Sequence, residues 1–219
     1  MTLTEALRSA FIERRKAANA ENNGLDYDQD RVYERGINAF RRFDSFHVEN
    51  GLGKLFKGYT PEQLFNVTIN DREPSKEDKS LYIESKDFDT LVRFAAYVGG
   101  AKQANKVKGL RQYKTILPIP LSTFINAAVD ELRVYDRTNC NIYCGRLIGA
   151  KFHIEDVRDI LYSAGYNSSS VNSDASSVKT ILRFCGLITI AAYDRDEVMT
   201  ISPESVRMLR AAVLNHKAK

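Results

Sequence analysis

Two groups of side chains in this sequence have the types and spacing to contact a polyanion. The first lies in residues 165–184, GYNSSSVNSDASSVKTILRF, where six of the first thirteen residues are serine. Serine hydroxyls and the cations of Lys179 and Arg183 donate hydrogen bonds of the kind that phosphate oxygens and base edges accept. We predict that the serines form a turn before a helix that begins near Ala175, and that they are not a linker between domains.

The second group is a stretch without acidic residues. Between Asp89 and Asp130 the chain has six basic residues and no acidic ones, although the whole chain has 32 basic and 28 acidic residues. The positive excess is thus concentrated in this window, and a local excess of this kind attracts phosphate backbones. The alternative is a solvated loop that keeps the protein soluble. The predicted contact residues are Lys102, Lys106, Lys108, Arg111 and Lys114.

Catalytic and metal chemistry are poorly supported. The chain has three histidines and three cysteines, which leaves few members for a histidine-based acid–base site and argues against a disulfide framework. Cys140 and Cys144 have loose spacing for a zinc site with His153, and Cys185 falls on an apolar helix face. We predict no enzymatic activity, no metal site and no cofactor.

The elements that position these groups are mainly helical. Apolar residues recur at helical spacing near the N-terminus, where Thr2 and Glu5 have the spacing of a capping box. Predicted helices cover 3–20, 31–43, 86–98 and 122–135, with a short one from Pro61. Short strands are predicted around 64–69 and 81–84. The polar segment 70–80 is the best candidate for a boundary, so the predicted regions are a helical N-terminal region 1–80, a helical middle region 81–137 with the basic segment, and a C-terminal domain 138–219.

The C-terminal region has a clearer order of elements. A helix over 153–164 ends at Gly165 and a second, over 175–185, ends at Gly186, because glycine readily takes the left-handed conformation that closes a helix. Alternating residues on either side of the polar turn 194–197 then predict a hairpin. A short helix at about 140–149 precedes these elements, and a last helix begins at Ser202.

This order resembles the winged helix-turn-helix superfamily. The resemblance is carried by RLIGAKFHIEDVRDIL, by ASSVKTILRFCGLI and by TIAAYDRDEVMTI. It implies a mainly α fold with a small β component, in which a helical N-terminal region precedes a C-terminal winged helix-turn-helix domain. It also implies that the outward residues of the second helix contact nucleic acid: Ser176, Ser177, Lys179, Thr180 and Arg183. Ser173 and the N-terminus of that helix offer backbone N–H groups to a phosphate as well.

The sequence therefore predicts a non-enzymatic nucleic-acid-binding protein, with DNA favoured over RNA. The alternative is a winged-helix adaptor or structural subunit of a larger protein or nucleoprotein assembly. Two features favour this alternative: the predicted turn exceeds the usual three or four residues, and Asp194, Asp196 and Glu197 would repel phosphates. An enzyme with catalytic residues in the N-terminal region is a third, weaker reading.

Partners and location follow from the same patterns. A protein partner, or a second copy of the chain paired through the last helix, is predicted besides nucleic acid. No apolar run approaches the roughly 18 residues that span a bilayer, and the N-terminus lacks the apolar core of a secretory signal. We therefore expect an intracellular protein, cytoplasmic or otherwise, that is not secreted and has no membrane partner.

Overall fold

The chain folds into two compact units, Met1–Ile116 and Leu117–Lys219. A computed structural model describes residues 1–40, 43–68, 85–101, 117, 120–127, 151–190 and 198–202, together with 205, 207, 208 and 211. These residues are mainly helical, as predicted, with one small sheet. The predicted boundaries near 80 and 137 both lie outside them. Within the described part of the chain, no helix is both long and apolar enough to cross a membrane.

The described part of unit 1 consists of five helices. They are α1 (Leu3–Glu21), α2 (Tyr27–Ala39), α3 (Ser45–Leu55), α4 (Pro61–Thr68) and α5 (Ser85–Val98). The strand predicted around 64–69 is wrong, since residues up to Thr68 are helical. Reciprocal hydrogen bonds explain the helix: Gln63 N–H donates to Thr60 Oγ1 at 3.1 Å, and Thr60 N–H donates to Gln63 Oε1 at 3.0 Å. This capping box, with Pro61 in the first helical position, starts α4.

Two sets of hydrogen bonds satisfy the donors at the N-terminus of α1. The predicted capping box is confirmed, because Glu5 N–H donates to Thr2 Oγ1 and Thr2 N–H donates to Glu5 Oε2. The Glu49 carboxylate of α3 then accepts the backbone N–H groups of Leu3 at 3.0 Å and Thr4 at 2.7 Å, and the Thr4 hydroxyl at 2.8 Å. Donors at a helix start have no partner within the helix, so this carboxylate fastens α1 to α3.

A cluster of phenylalanines lies among the aliphatic side chains of the unit 1 core. The ring of Phe11 lies 4.9 Å from that of Phe88, 5.4 Å from Phe65 and 6.3 Å from Phe40, measured between centroids. Edge and tilted contacts at these distances are favourable beyond the burial of the rings. The Phe11 ring also covers Gly36, where a Cβ atom would lie 2.3 Å from the ring. One aromatic side chain of α1 therefore packs against residues of α2, α4 and α5.

Helices α3 and α5 pack backbone to backbone. A Cβ atom on Gly51 would lie 1.6 Å from the carbonyl oxygen of Ala95, and one on Gly99 would lie 1.8 Å from that of His47. Glycine at both positions lets the helices approach more closely than any side chain would permit. At the same crossing, Asn50 Nδ2 donates to Gly99 O and Lys54 Nζ donates to Val98 O, each at 3.3 Å.

Unit 2 combines helices with a three-stranded antiparallel sheet. Residues 120–127 are helical (α6), followed by β1 (Lys151–Phe152), α7 (Ile154–Ser163), α8 (Ser168–Phe184), β2 (Ile188–Ile190) and β3 (Met199–Ile201). The strand order is β1–β3–β2, with Lys151 opposite Thr200 and Thr189 opposite Thr200 from the other side. The predicted hairpin strands are confirmed. Of the last helix, predicted to begin at Ser202, the described residues 205, 207, 208 and 211 are helical.

Candidate nucleic-acid interface

The connection between α7 and α8 is only four residues long, 164–167. Gly165 takes a positive φ of 87°, as predicted for the residue after a helix. Its N–H donates to Tyr162 O at 2.9 Å, and Tyr166 N–H donates to Leu161 O at 3.1 Å. These two bonds are those of a Schellman closure, which satisfies the last carbonyls of α7 and turns the chain sharply.

The serine-rich stretch is helical, so the prediction that it forms a turn is wrong. Helix α8 begins at Ser168 with Asn167 as its N-cap, two turns before the predicted start near Ala175. The physical reason is Val171, which is fully buried and extends the apolar series of Ala175 and Val178 towards the N-terminus. Serine is tolerated in a first turn because it can bond locally to the backbone, and Ser170 Oγ donates to Asn167 O at 3.1 Å.

One side of α8 is buried throughout its length. Val171, Ala175, Val178, Ile181 and Leu182 are all almost inaccessible to solvent. Residues three and four apart share a helix face, so the opposite side must face outward. Seven polar residues lie there and form what we define as the α8 outer face: Ser169, Asn172, Ser173, Ser176, Lys179, Thr180 and Arg183.

The predicted contact residues agree with this face, with one exception. Ser173 and Ser176 are exposed, and Lys179, Thr180 and Arg183 are partly exposed. Ser177 is partly buried and lies at the side of the helix, a quarter turn from Ser176. Sequence reasoning missed Ser169 and Asn172, both exposed, because it began the helix seven residues too late. Val171, at helical spacing from Ala175, was the signal that could have found them.

The charged side chains of α8 are unevenly distributed along the helix. Its first turn has no acidic residue and its last turn carries Arg183. Backbone N–H groups give the first turn a partial positive charge, while the two cations of the α8 outer face lie in the second half of the helix. Asp174 is the acid within the helix and is half-buried. The α8 outer face therefore offers hydroxyl and amide groups first and cations after them.

A closing glycine ends α8 immediately before the sheet. Gly186, with a positive φ of 68°, closes the helix as predicted, because Leu187 N–H donates to Leu182 O at 2.8 Å and Gly186 N–H to Arg183 O at 2.9 Å. Strand β2 follows at once. The buried Ser205 hydroxyl lies 3.5 Å from Gly186 O and also bonds to the Ser202 hydroxyl, so the segment after β3 is tied to the same turn.

The remaining predicted features lie either outside the described residues or away from the α8 outer face. The basic residues Lys102, Lys106, Lys108, Arg111 and Lys114 lie outside the described residues, as do the turn 194–197 and the helix predicted at 140–149. Cys185 is buried at the end of α8, and burial raises the pKa of its thiol far above the usual range. His153 begins α7, with its N–H donating to Asp156 Oδ2 at 2.7 Å.

Comparisons of the chain with protein families, with curated proteins and with solved structures find no match.

Proposed function

We propose that this protein binds nucleic acid, DNA in preference to RNA, and that unit 2 is a winged helix-turn-helix domain. Helix α8 is its recognition helix and the β2–β3 hairpin is its wing. The protein is non-enzymatic in this proposal. The observation that carries it is the α8 outer face, a continuous polar stripe on a helix whose opposite side is fully buried.

The order and pairing of the elements support this reading. A short strand precedes two helices and a hairpin, and it pairs with the second strand of that hairpin, so the sheet order is β1–β3–β2. The four-residue connection between α7 and α8 lies within the three or four residues usual for a helix-turn-helix. The long turn expected from the sequence, which favoured the adaptor, is therefore no longer an argument against DNA.

The chemistry of the α8 outer face suits a duplex groove. Hydroxyl and amide groups can donate to or accept from base edges and phosphates, and two cations add contacts with the backbone. The face carries no carboxylate, so nothing on it repels phosphate. We further propose that the basic segment with Lys102, Lys106, Lys108, Arg111 and Lys114 adds affinity that does not depend on base sequence.

The test is binding of a labelled random duplex by the full chain and by Lys179→Glu/Arg183→Glu. We expect the double variant to bind at least tenfold more weakly, with a salt dependence reduced by about two contacts at roughly 0.9 log units each. Lys16→Glu/Arg31→Glu is the matched control, because it makes the same change in net charge at exposed positions of α1 and α2. Equal affinity of both double variants for the duplex would overturn the proposal.

The adaptor remains a second candidate because of one feature of the sequence. Asp194, Asp196 and Glu197 surround Arg195 in the predicted wing tip, and these carboxylates suit a basic protein surface better than a duplex. An adaptor that binds through the wing keeps its partner in Lys179→Glu/Arg183→Glu and loses it in Asp194→Lys/Asp196→Lys. A protein that binds nucleic acid through α8 loses its ligand in Lys179→Glu/Arg183→Glu and keeps it in Asp194→Lys/Asp196→Lys.

A further inference from the structure

We infer that helix α3 of unit 1 carries a separate surface for single-stranded nucleic acid. This α3 face consists of Phe46, Asn50, Gly53 and Lys54 of the helix, together with Lys57, which lies two residues beyond its end. All five are exposed. The inference concerns unit 1 alone and does not depend on the function proposed for unit 2.

An aromatic ring projects from the start of this face. Phe46 has 67% of its surface exposed, although it has no polar atom to gain from water. Its ring meets the His47 ring edge-on, with 5.7 Å between centroids, so one side of the phenylalanine is supported by the protein. Exposed rings of this kind serve as stacking platforms for unpaired bases. At the other end of the face, Tyr59 is 40% exposed and packs against Phe56.

The middle of the face is open. Gly53 has no atom within 4 Å of the position where a Cβ would lie, in contrast to Gly51 on the buried side of the same helix. The backbone of α3 is thus accessible between the aromatic and the cationic end. A flat, accessible stretch of backbone allows another chain to approach closely.

The charged side chains of the α3 face are lysines, because the carboxylate of Glu49 in the same helix is bonded to α1. Lys54 and Lys57 are exposed, and Glu49 is the acidic residue within α3. The Glu49 carboxylate is occupied by three donors of α1, the N–H groups of Leu3 and Thr4 and the Thr4 hydroxyl. A phosphate approaching the Lys54 and Lys57 end of the α3 face therefore meets cations and amide groups. The exposed Asp44 carboxylate, which accepts the Phe46 N–H at 2.9 Å, lies at the aromatic end, where a base and not a phosphate would bind.

Two of these side chains are held in position. Asn50 bonds the carbonyl of Gly99, just after α5, and Lys54 bonds that of Val98, the last residue of α5. These bonds orient the two side chains and leave their remaining donors available, since an amide has two N–H donors and an ammonium three. Side chains that are already ordered lose less conformational entropy when a ligand binds.

The combination of a stacking ring with lysines favours a single strand over a duplex. Bases in a duplex are already stacked and cannot lie on a phenylalanine ring, whereas unpaired bases can. The face extends along the 11 residues of α3, or about 16 Å at 1.5 Å per residue, which suits a few nucleotides. A protein partner is the other class of occupant, and the experiment below separates it.

The experiment uses three variants at one position in the full chain. Gly53→Glu, Gly53→Ala and Gly53→Lys all place a side chain in open space on a helix, so all three gain helix propensity over glycine and differ chiefly in charge. We measure their affinity for a labelled thymidine single strand and for a duplex of the same length. We expect Gly53→Glu to bind the single strand about tenfold more weakly, Gly53→Ala to match the wild type and Gly53→Lys to bind at least as tightly.

A second pair of variants tests the ring. Phe46→Ala should weaken single-strand binding about fivefold or more, as for loss of one stacked base. Tyr27→Ala removes a ring that is 78% exposed on α2, away from the α3 face, and should leave single-strand binding unchanged.

The outcomes distinguish this inference from the proposed function. Single-strand affinity that is the same in Gly53→Glu, Phe46→Ala and the wild type overturns the α3 face. Absence of single-strand binding by the wild type also overturns it and leaves a protein as the occupant of α3. Loss of duplex binding in Lys179→Glu/Arg183→Glu, with single-strand binding retained, supports both surfaces. Retained duplex binding in that variant overturns the proposed function alone.

Discussion

The sharpest prediction for the fold concerns two glycines of α3 that respond in opposite directions to the same change. Gly51 and Gly53 lie in one helix, and neither has a positive φ, so alanine fits the backbone conformation at both positions. Their surroundings differ completely. Gly51 faces the backbone of α5, while Gly53 faces open space.

The magnitudes follow from the distances. The Cβ atom of Gly51→Ala would lie 1.6 Å from Ala95 O and 2.4 Å from Ala95 C, and these are backbone atoms that cannot rotate away. The two helices must separate by more than about 1 Å, which also weakens the bonds that Asn50 and Lys54 make to α5. Overpacking of this kind costs about 1–3 kcal/mol, and a forced backbone shift places Gly51→Ala near the upper end. Gly53→Ala instead gains about 0.5–1 kcal/mol from reduced chain entropy.

The assay is urea denaturation of the full chain followed by far-ultraviolet circular dichroism. The chain has no tryptophan whose fluorescence could report on one unit. Hydrogen exchange of peptides from α3 and α5 therefore shows whether the change in stability lies in unit 1. We expect the free energy of unfolding to fall by about 3 kcal/mol in Gly51→Ala and to rise slightly in Gly53→Ala.

The reasoning is refuted if the two substitutions shift the stability in the same direction. It is also refuted if exchange in α5 is unchanged in Gly51→Ala, because the predicted clash is with that helix.

Two further predictions concern titration and reactivity. The Arg15 guanidinium, bonded to both oxygens of Asp30 at 2.6 Å, holds the pKa of that carboxyl below its ordinary value. The contribution of this pair is therefore fully present above about pH 4 and is lost as the pH falls through the lower folded-state pKa, so Asp30→Asn should flatten the acid limb of an unfolding profile. Burial raises the pKa of the Cys185 thiol, so mass spectrometry after iodoacetamide treatment at pH 8 should find Cys185 unmodified in the native protein and alkylated in urea. Alkylation of native Cys185, or an unchanged acid limb in Asp30→Asn, would contradict these expectations.

Local patterns determined much of the secondary structure. The capping box of Thr2 and Glu5, the start of α4 at Pro61, and the closing glycines at 165 and 186 were all predicted from neighbouring residues. Such signals are readable in a sequence because a helix end is satisfied by groups within a few residues of it. The strands β2 and β3 were predicted for a similar reason, since they are close in sequence and alternate around a polar turn.

Tertiary packing decided the features on which the two proposed binding surfaces depend. Serines normally indicate turns, yet residues from 168 onward are helical because Val171 finds a buried position. Strand β1 is too short to have its own pattern and is defined only by pairing with β3, far along the chain. The contrast between Gly51 and Gly53, and with it the α3 face, depends on where α5 lies. The sequence by itself determined which segments form most of the helices and the hairpin, whereas contacts between distant segments decided which faces are buried and which are exposed.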